Sequence, residues 1–109
     1  MIKKKYNTQS KLSIKHYTLN LNSRTITTKD TTLKLTEKEI DIILFLNDQK
    51  TPQSVSRLQD EVWGYSFDLE THTVETHIYR LRKKIKNKFN DKDFIISHDE
   101  GYIIWNDKQ

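Results

Sequence analysis

Residues 73–88 read TVETHIYRLRKKIKNK, and this stretch decides the fold because it combines one apolar stripe with a dense set of cations. The stripe consists of Val74, Ile78, Leu81 and Ile85, which recur at the intervals that place side chains on one face of an α-helix. The spacing therefore predicts a helix over residues 73–88 that buries this face and exposes the opposite one.

The positive charge of the chain is concentrated in the same segment. Residues 71–88 carry six Lys or Arg and one Glu, whereas residues 89–109 carry two Lys and five acidic residues. A basic helix is the footprint expected for contact with phosphates. A solvated helix face that happens to collect lysines has the same composition, so charge alone leaves both interpretations open.

The segment before this helix predicts a small sheet and two further helices. Apolar residues alternate through the Thr-rich residues 12–35, which is typical of short antiparallel strands, and turns are expected at residues 22–23 and 29–30. Thr36 and Glu39 have the spacing of a capping box, so a helix is expected to follow through about Asn47. Ser54 is the expected N-cap of a second helix that ends at Gly64.

The C-terminal segment predicts a β-hairpin. Residues 94–97 and 101–105 supply two mostly apolar strands around a turn at residues 97–101, with Trp105 closing the hairpin. Strands, three helices and a hairpin, in this order, predict an α+β fold of the winged helix-turn-helix type. The chain has 109 residues, the length of one domain. We expect residues 1–10 to form a polar, flexible terminus and residues 11–109 to form the domain.

Composition argues against several function classes. The chain has no Cys, and its four His residues are scattered without HExxH spacing, so we expect no disulfide and no metal site. No P-loop or GxSxG motif is present, so we expect no catalytic residues and no cofactor. No apolar run approaches the roughly 20 residues that span a bilayer, and no signal-peptide pattern follows Met1. A cytoplasmic location without membrane contact is therefore expected.

The outward face of the helix over residues 73–88 carries the candidate contacts to double-stranded DNA. A helix fits the major groove, where each base pair presents its own pattern of donors and acceptors, and Arg80 is the expected bidentate donor to guanine. Glu75 has two open interpretations, an acceptor for a cytosine amino group or a carboxylate that complements the helix dipole. The remaining candidates on the face and its flanks are Thr73, His77, Tyr79 and Arg82, which suit phosphate oxygens, together with Thr76, Lys83 and Lys84.

Four motifs together resemble the OmpR/PhoB-type DNA-binding domain of response regulators. They are LTEKE at residues 35–39, VWG at 62–64, TVETHIYRLRKKI at 73–85 and GY at 101–102, in that family's order and near its spacings. The resemblance covers about residues 12–105. It implies an N-terminal four-stranded antiparallel sheet, three helices and a C-terminal wing. It also implies transcription regulation within a two-component phosphorelay.

The resemblance further implies contacts and partners. Trp63 falls at a position that can contact the DNA backbone, and His98, in the wing beside its turn, is a further expected DNA-binding residue. Members of the family bind direct repeats as head-to-tail dimers, and their loop at the position of residues 47–53 meets RNA polymerase. The helix positions that touch DNA correspond to His72, Thr73, Glu75, His77, Tyr79, Arg80 and Arg82.

The chain departs from the family pattern at three points. Relatives usually carry an Arg just before a Gly-x-Gly-Tyr turn, whereas the matching residues 98–102 of this chain place Asp99 and Glu100 beside the turn, so DNA phosphates are expected to repel this wing. His72 and Tyr79 stand where relatives often have Arg, which removes cations. No receiver domain is present, so the chain is either cut from a longer protein or a free-standing regulator. The acidic wing and the loop at residues 47–53 support an alternative function, a protein-interaction module with weak or no specific DNA binding.

Overall fold

Four short strands form the N-terminal sheet: β1 Lys11–Ile14, β2 Tyr17–Asn20, β3 Thr25–Thr28 and β4 Thr31–Lys34. Each strand pairs antiparallel with the next one along the chain. The computed structural model describes residues 10–64 and 71–104, so the predicted terminus, apart from its last residue, and Trp105 lie outside the described residues. The turns predicted at residues 22–23 and 29–30 are confirmed, because both lie between paired strands.

The predicted alternation along the strands is also confirmed. Tyr17, Leu19 and Ile26 are buried, whereas Thr18, which lies between the first two, is exposed. Side chains on one face of a strand recur with a period of two, so the apolar residues of β2 and β3 share one face. This face covers the core.

The first helix, α1, runs over Glu37–Asn47 and begins with the predicted capping box. The Glu39 N–H donates to Thr36 Oγ1 (3.2 Å), and the Thr36 N–H donates to Glu39 Oε1 (2.8 Å). Four of its six apolar residues are at most 2% exposed, and Leu44 and Phe45 are partly buried, in keeping with a helix that is apolar around more than one stripe; the four are Ile40, Ile42, Ile43 and Leu46.

The second helical segment begins after Ser54 and ends at Gly64, as the sequence predicts, but only its first four residues are α-helical. Helix α2 covers only Val55–Leu58, with Ser54 as its N-cap, and continues as a π-helical turn over Gln59–Trp63. The turn is wide because the Gly64 N–H donates to the carbonyl of Gln59 (3.2 Å), five residues back, as well as to that of Asp60 (3.0 Å). In this turn the consecutive residues Val62 and Trp63 both pack against the core.

The third helix, α3, covers Thr71–Phe89 and confirms the amphipathic prediction. It begins two residues earlier and ends one residue later than the sequence predicts. Its predicted stripe is at most 1% exposed, and the helix packs against α1, α2 and β4. The face of α3 opposite the apolar stripe therefore points away from the core.

The C-terminal hairpin, called the wing, consists of β5 Ile96–His98 and β6 Gly101–Ile103. The predicted hairpin and the start of its second strand at Gly101 are confirmed, but the predicted first strand, residues 94–97, was misplaced, since it covers residues 96–98 and His98 pairs with Gly101 across a two-residue turn. Phe94 and Ile95 belong to neither strand. Both are 1% exposed. Consecutive side chains of a strand point to opposite faces of the sheet, so a strand with one buried face cannot bury both of them.

Two backbone hydrogen bonds join the wing to the residue before the N-cap of α2. The Gln53 N–H donates to the Tyr102 carbonyl (2.8 Å), and the Tyr102 N–H donates to the Gln53 carbonyl (2.9 Å). A Cβ on Gly101 would lie 2.0 Å from the Gln53 oxygen. Glycine is therefore required here by the close approach of two backbones, in addition to its φ of +142°.

Tyr17 ties the sheet to the segment after α3. Its hydroxyl donates to Asp91 Oδ2 at 2.6 Å, and its ring meets Phe89 and Phe94 edge-on. Burial, followed by the hydrogen bond to the Asp91 carboxylate, raises the pKa of Tyr17 above its ordinary value. The protonated hydroxyl is thus part of the fold.

Candidate nucleic-acid interface

The exposed middle of α3 carries Tyr79, Arg80 and Lys83. Tyr79 is 62% exposed, and the ammonium of Lys83 lies 5.8 Å from the centre of its ring. Arg80 is exposed and forms no hydrogen bond or ion pair with another described residue. Its guanidinium is therefore available to an external acceptor, and the neighbouring Lys83–Tyr79 pair offers a cation beside an aromatic ring.

The hydroxyl groups near the start of α3 are less available. Thr76 is half-buried, and its Oγ1 donates to the His72 carbonyl one turn earlier (3.0 Å). This back-bond occupies the hydroxyl proton, so Thr76 can only accept from a ligand. His72 itself is exposed, and Thr73 is half-buried.

Glu75 is exposed and lies on one flank of the helix. Because α3 begins at Thr71, Glu75 is the fifth helical residue, and the first turn contains no acidic residue. The effect of the helix dipole decays within the first turn. The dipole interpretation of Glu75 therefore loses most of its support. Arg82, half-buried, lies on the same flank, two turns later.

The opposite flank of α3 faces the π-helical turn. The ring of His77 meets that of Trp63 edge-on, with centroids 5.1 Å apart and planes at 71°. The ammonium of Lys38 lies 5.6 Å from the Trp63 ring centre and donates to the Val62 carbonyl (3.2 Å). Trp63 and His77 therefore form one aromatic surface beside the exposed face of α3.

Lys84 does not belong to the outward face, contrary to the prediction. Its Nζ forms a 2.7 Å ion pair with Oε1 of Glu39, whose side chain is only 8% exposed. The helical period places residue 84 on the flank that contains His77 rather than opposite the apolar stripe. Sequence reasoning found Glu39 only as a capping residue and did not single out Lys38.

The wing presents an acidic turn. Asp99 and Glu100 are exposed. Exposed His98 accepts the Glu100 N–H at Nδ1 (3.2 Å), so the proton of its neutral imidazole resides on Nε2. His98 therefore organises the turn and can donate outward only through Nε2 in that form.

Two further properties concern the described part of the chain. Within residues 10–64 and 71–104, no group of three or more acidic or His side chains is arranged to hold a metal ion. Over these same residues, no helix has both the length and the apolarity to cross a membrane.

The described architecture defines a winged-helix domain, with its four-stranded sheet, three helices and terminal strand pair. The family model for "Transcriptional regulatory protein, C terminal" matches residues 30–104. The chain therefore belongs to this family, the OmpR/PhoB-type DNA-binding domains of transcriptional regulators. The predicted fold class and the predicted DNA-binding class are both confirmed.

One similar protein is ResD of Bacillus subtilis (strain 168). It is 36% identical over 81 residues, which are 72% of this chain and 33% of ResD. CusR of Escherichia coli (strain K12) is 30% identical over 97 residues, 88% of this chain and 43% of CusR. The chain thus spans between a third and a half of the length of these relatives. Both are named transcriptional regulatory proteins.

Solved structures with the same fold include the C-terminal domain of the nisin resistance regulator NsrR. It has a TM-score of 0.72 and 26% identity, with 88% of this chain and 97% of that chain covered. The AdeR DNA-binding domain, solved in complex with an intercistronic region, has a TM-score of 0.72 and 24% identity, covering 87% of this chain and 99% of that chain.

Proposed function

We propose that α3 is a recognition helix that lies in the major groove of double-stranded DNA and reads sequence mainly through Arg80. The observation that carries this proposal is the exposed guanidinium of Arg80, which lies in the middle of the helix and has no partner among the described residues. A guanidinium matches the O6 and N7 acceptors of guanine with two parallel hydrogen bonds. The buried stripe beneath it packs the helix against the core.

The proposed phosphate contacts surround Arg80. On α3 they are Thr73, Tyr79, Arg82 and Lys83, with His72 and His77 at the edges, and Trp63 extends this surface beyond the helix. Thr76 contributes as an acceptor only, because its proton is donated to His72. Glu75 is assigned to a cytosine amino group, for which its exposed carboxylate is a suitable acceptor.

Several wider proposals rest on likeness to the family. The protein acts in the cytoplasm as a transcription regulator of two-component type, binds direct repeats as a head-to-tail dimer, and meets RNA polymerase through residues 47–53. The AdeR domain, which was solved in complex with an intercistronic region, supports the proposal that this chain binds DNA. We assign residues 11–109 to a single domain.

Selection from a random duplex library on the immobilised chain, at near-physiological salt, tests the proposal. Enrichment of one short motif, or of two direct copies about one helical turn apart, is the expected result. Retention without any enriched motif would contradict sequence reading by this chain.

The role of Arg80 is tested with the selected duplex and a scrambled duplex. We expect Arg80→Ala to reduce discrimination between them by about 1–3 kcal/mol, the contribution of a bidentate base contact. Lys86→Ala, at an exposed position in the last turn of α3, is the matched control and should leave discrimination unchanged. An equal loss on both duplexes for Arg80→Ala would identify Arg80 as a phosphate contact.

The acidic wing favours a second function, binding of a protein partner through Asp99 and Glu100. Both carboxylates are exposed at the wing turn, where proximity to phosphate is unfavourable. In this alternative the wing, in place of residues 47–53, contacts RNA polymerase, and binding of purified RNA polymerase to the wild-type chain and to Asp99→Lys/Glu100→Lys tests it. Polymerase binding that is lost in the variant while DNA affinity is retained or increased supports it, and unchanged binding contradicts it.

A further inference from the structure

In the first turn of α1, the consecutive residues Lys38 and Glu39 contact two elements of the surface proposed to bind DNA. The Glu39 carboxylate accepts from the Thr36 N–H (2.8 Å) and from Lys84 Nζ of α3 (2.7 Å), both at Oε1. Lys38 extends to the π-helical turn, where it donates to the Val62 carbonyl (3.2 Å). One turn of α1 is thus bonded to the recognition helix and also to the segment that carries Trp63.

The contacts made by Glu39 and by Lys38 both involve the same flank of α3 and its neighbour, the π-helical turn. Lys84 lies two helical turns after His77, on the same side, and the ring of His77 packs edge-on against Trp63. Rotation of α3 about its axis would therefore move Lys84 away from Glu39 and His77 away from Trp63 together. The apolar stripe fixes which face of α3 is buried, but non-directional packing tolerates small rotations that a short ion pair resists.

The Glu39–Lys84 pair is suited to this task because one partner is largely buried. The side chain of Glu39 is 8% exposed and that of Lys84 is 34% exposed. Salt screens such a pair less than it screens two exposed charges. The bond to the Thr36 N–H further restricts the carboxylate, so Lys84 is held at one position relative to α1.

We propose that Glu39 and Lys84 are positioning residues that set the rotation of α3, and hence which base edges Arg80 meets, and that Lys84 makes no phosphate contact. The proposal rests on the function proposed above for α3. It separates Lys84 from its neighbour Lys83, which is exposed and free to meet a phosphate.

The salt dependence of DNA binding distinguishes the two lysines. Each phosphate neutralised by a cation adds about 0.9 to the slope of log K against log salt. The experiment compares Lys84→Met with Lys83→Met on the scrambled duplex across a salt series, and on the selected duplex at one salt concentration. Circular dichroism at the assay temperature verifies that each variant is folded.

Two more variants isolate the ion pair from the helix cap. Glu39→Gln removes the charge but keeps an amide oxygen that serves in a capping box. Lys84→Arg keeps a cation within reach of Glu39 and is expected to restore discrimination. The double variant Glu39→Gln/Lys84→Met completes a cycle, in which the loss of discrimination should be smaller than the sum of the two single losses.

We expect Lys84→Met to keep the wild-type salt slope and to reduce discrimination roughly 2- to 30-fold, the range for residues that act without touching the ligand. Lys83→Met should flatten the slope by about one unit. A slope flattened equally by both changes, or discrimination unchanged in folded Lys84→Met, would overturn the positioning role alone. A wild-type chain that binds neither duplex would overturn the proposed function, and this inference with it.

Discussion

Gly101→Ala tests the contact between the wing and the chain before α2. A Cβ at this position lies 2.0 Å from the Gln53 oxygen, 2.3 Å from its carbonyl carbon and 2.8 Å from the Ser54 nitrogen. All three are backbone atoms, so no side chain can rotate away. The methyl group must push the wing away from Gln53 or break both Gln53–Tyr102 hydrogen bonds.

The expected loss of stability has two parts. A positive φ of +142° is unfavourable for alanine, by roughly 1–3 kcal/mol. Overpacking adds about 1–3 kcal/mol more. A domain of this size is stable by roughly 5–15 kcal/mol, so the sum is a large fraction of the total.

Gly64→Ala is the matched control for the first part. Gly64 also has a positive φ, +105°, but no atom of the described residues lies within 4 Å of a Cβ built there. Thermal unfolding followed by circular dichroism should therefore place Gly101→Ala below Gly64→Ala by on the order of 5–20 °C, since 1 kcal/mol shifts the midpoint of a small domain by about 4–8 °C. Equal midpoints for the two variants would refute the steric argument.

Two smaller changes test other supports of the fold. Tyr17→Phe removes the hydroxyl that donates to Asp91 and should lower the free energy of unfolding in urea by about 1–2 kcal/mol at neutral pH. Because folding raises the pKa of Tyr17, this contribution is present below about pH 10 and is lost at higher pH. The difference between wild type and variant should therefore shrink above that pH, and a constant difference would contradict the assignment. Ser54→Ala removes the N-cap acceptor of the Arg57 N–H and should destabilise by about 1 kcal/mol. Exposed Ser56 provides the control, and an equally large effect of Ser56→Ala would argue against the cap.

Local chemistry made much of the fold predictable. The capping box needs only Thr36 and Glu39, three residues apart, and the buried stripe of α3 follows from helical periodicity alone. The sheet was predictable for the same reason, because its strands pair with their immediate neighbours. These features depend on residues that are close in sequence.

Features that depend on distant residues were missed or misplaced. The pairing of Lys84 with Glu39 joins positions 45 residues apart, and helical periodicity can place Lys84 on a flank of α3 but cannot identify its partner on α1. Phe94 and Ile95 were assigned to a strand because an apolar run looks the same in a strand as in an irregular segment that fills the core. The π-helical turn adds one residue to a helical pattern without altering its composition.

The candidate site was predictable as a surface, but its internal bonds were not. Exposed Arg80 and Tyr79 could be located from the position of the buried stripe. Three contacts could not be predicted, because each depends on side-chain geometry in the folded chain. They are the hydrogen bond donated by Thr76, the ring contact of His77 and the hydrogen bond accepted by His98. Side-chain geometry therefore alters which atoms remain available to a ligand.

The neighbour-to-neighbour pairing of the N-terminal sheet has a consequence for synthesis of the chain. Its paired residues are separated by at most nine positions, as in Lys11 with Asn20, so its hairpins can close within about 1–10 μs. The ribosome adds roughly 5–20 residues per second, and Asp91, which anchors Tyr17, is therefore made several seconds after the last strand of the sheet. During those seconds the apolar face of Tyr17, Leu19 and Ile26 lacks α3 and the segment after it. This is the stage at which we expect the nascent chain to bind chaperones.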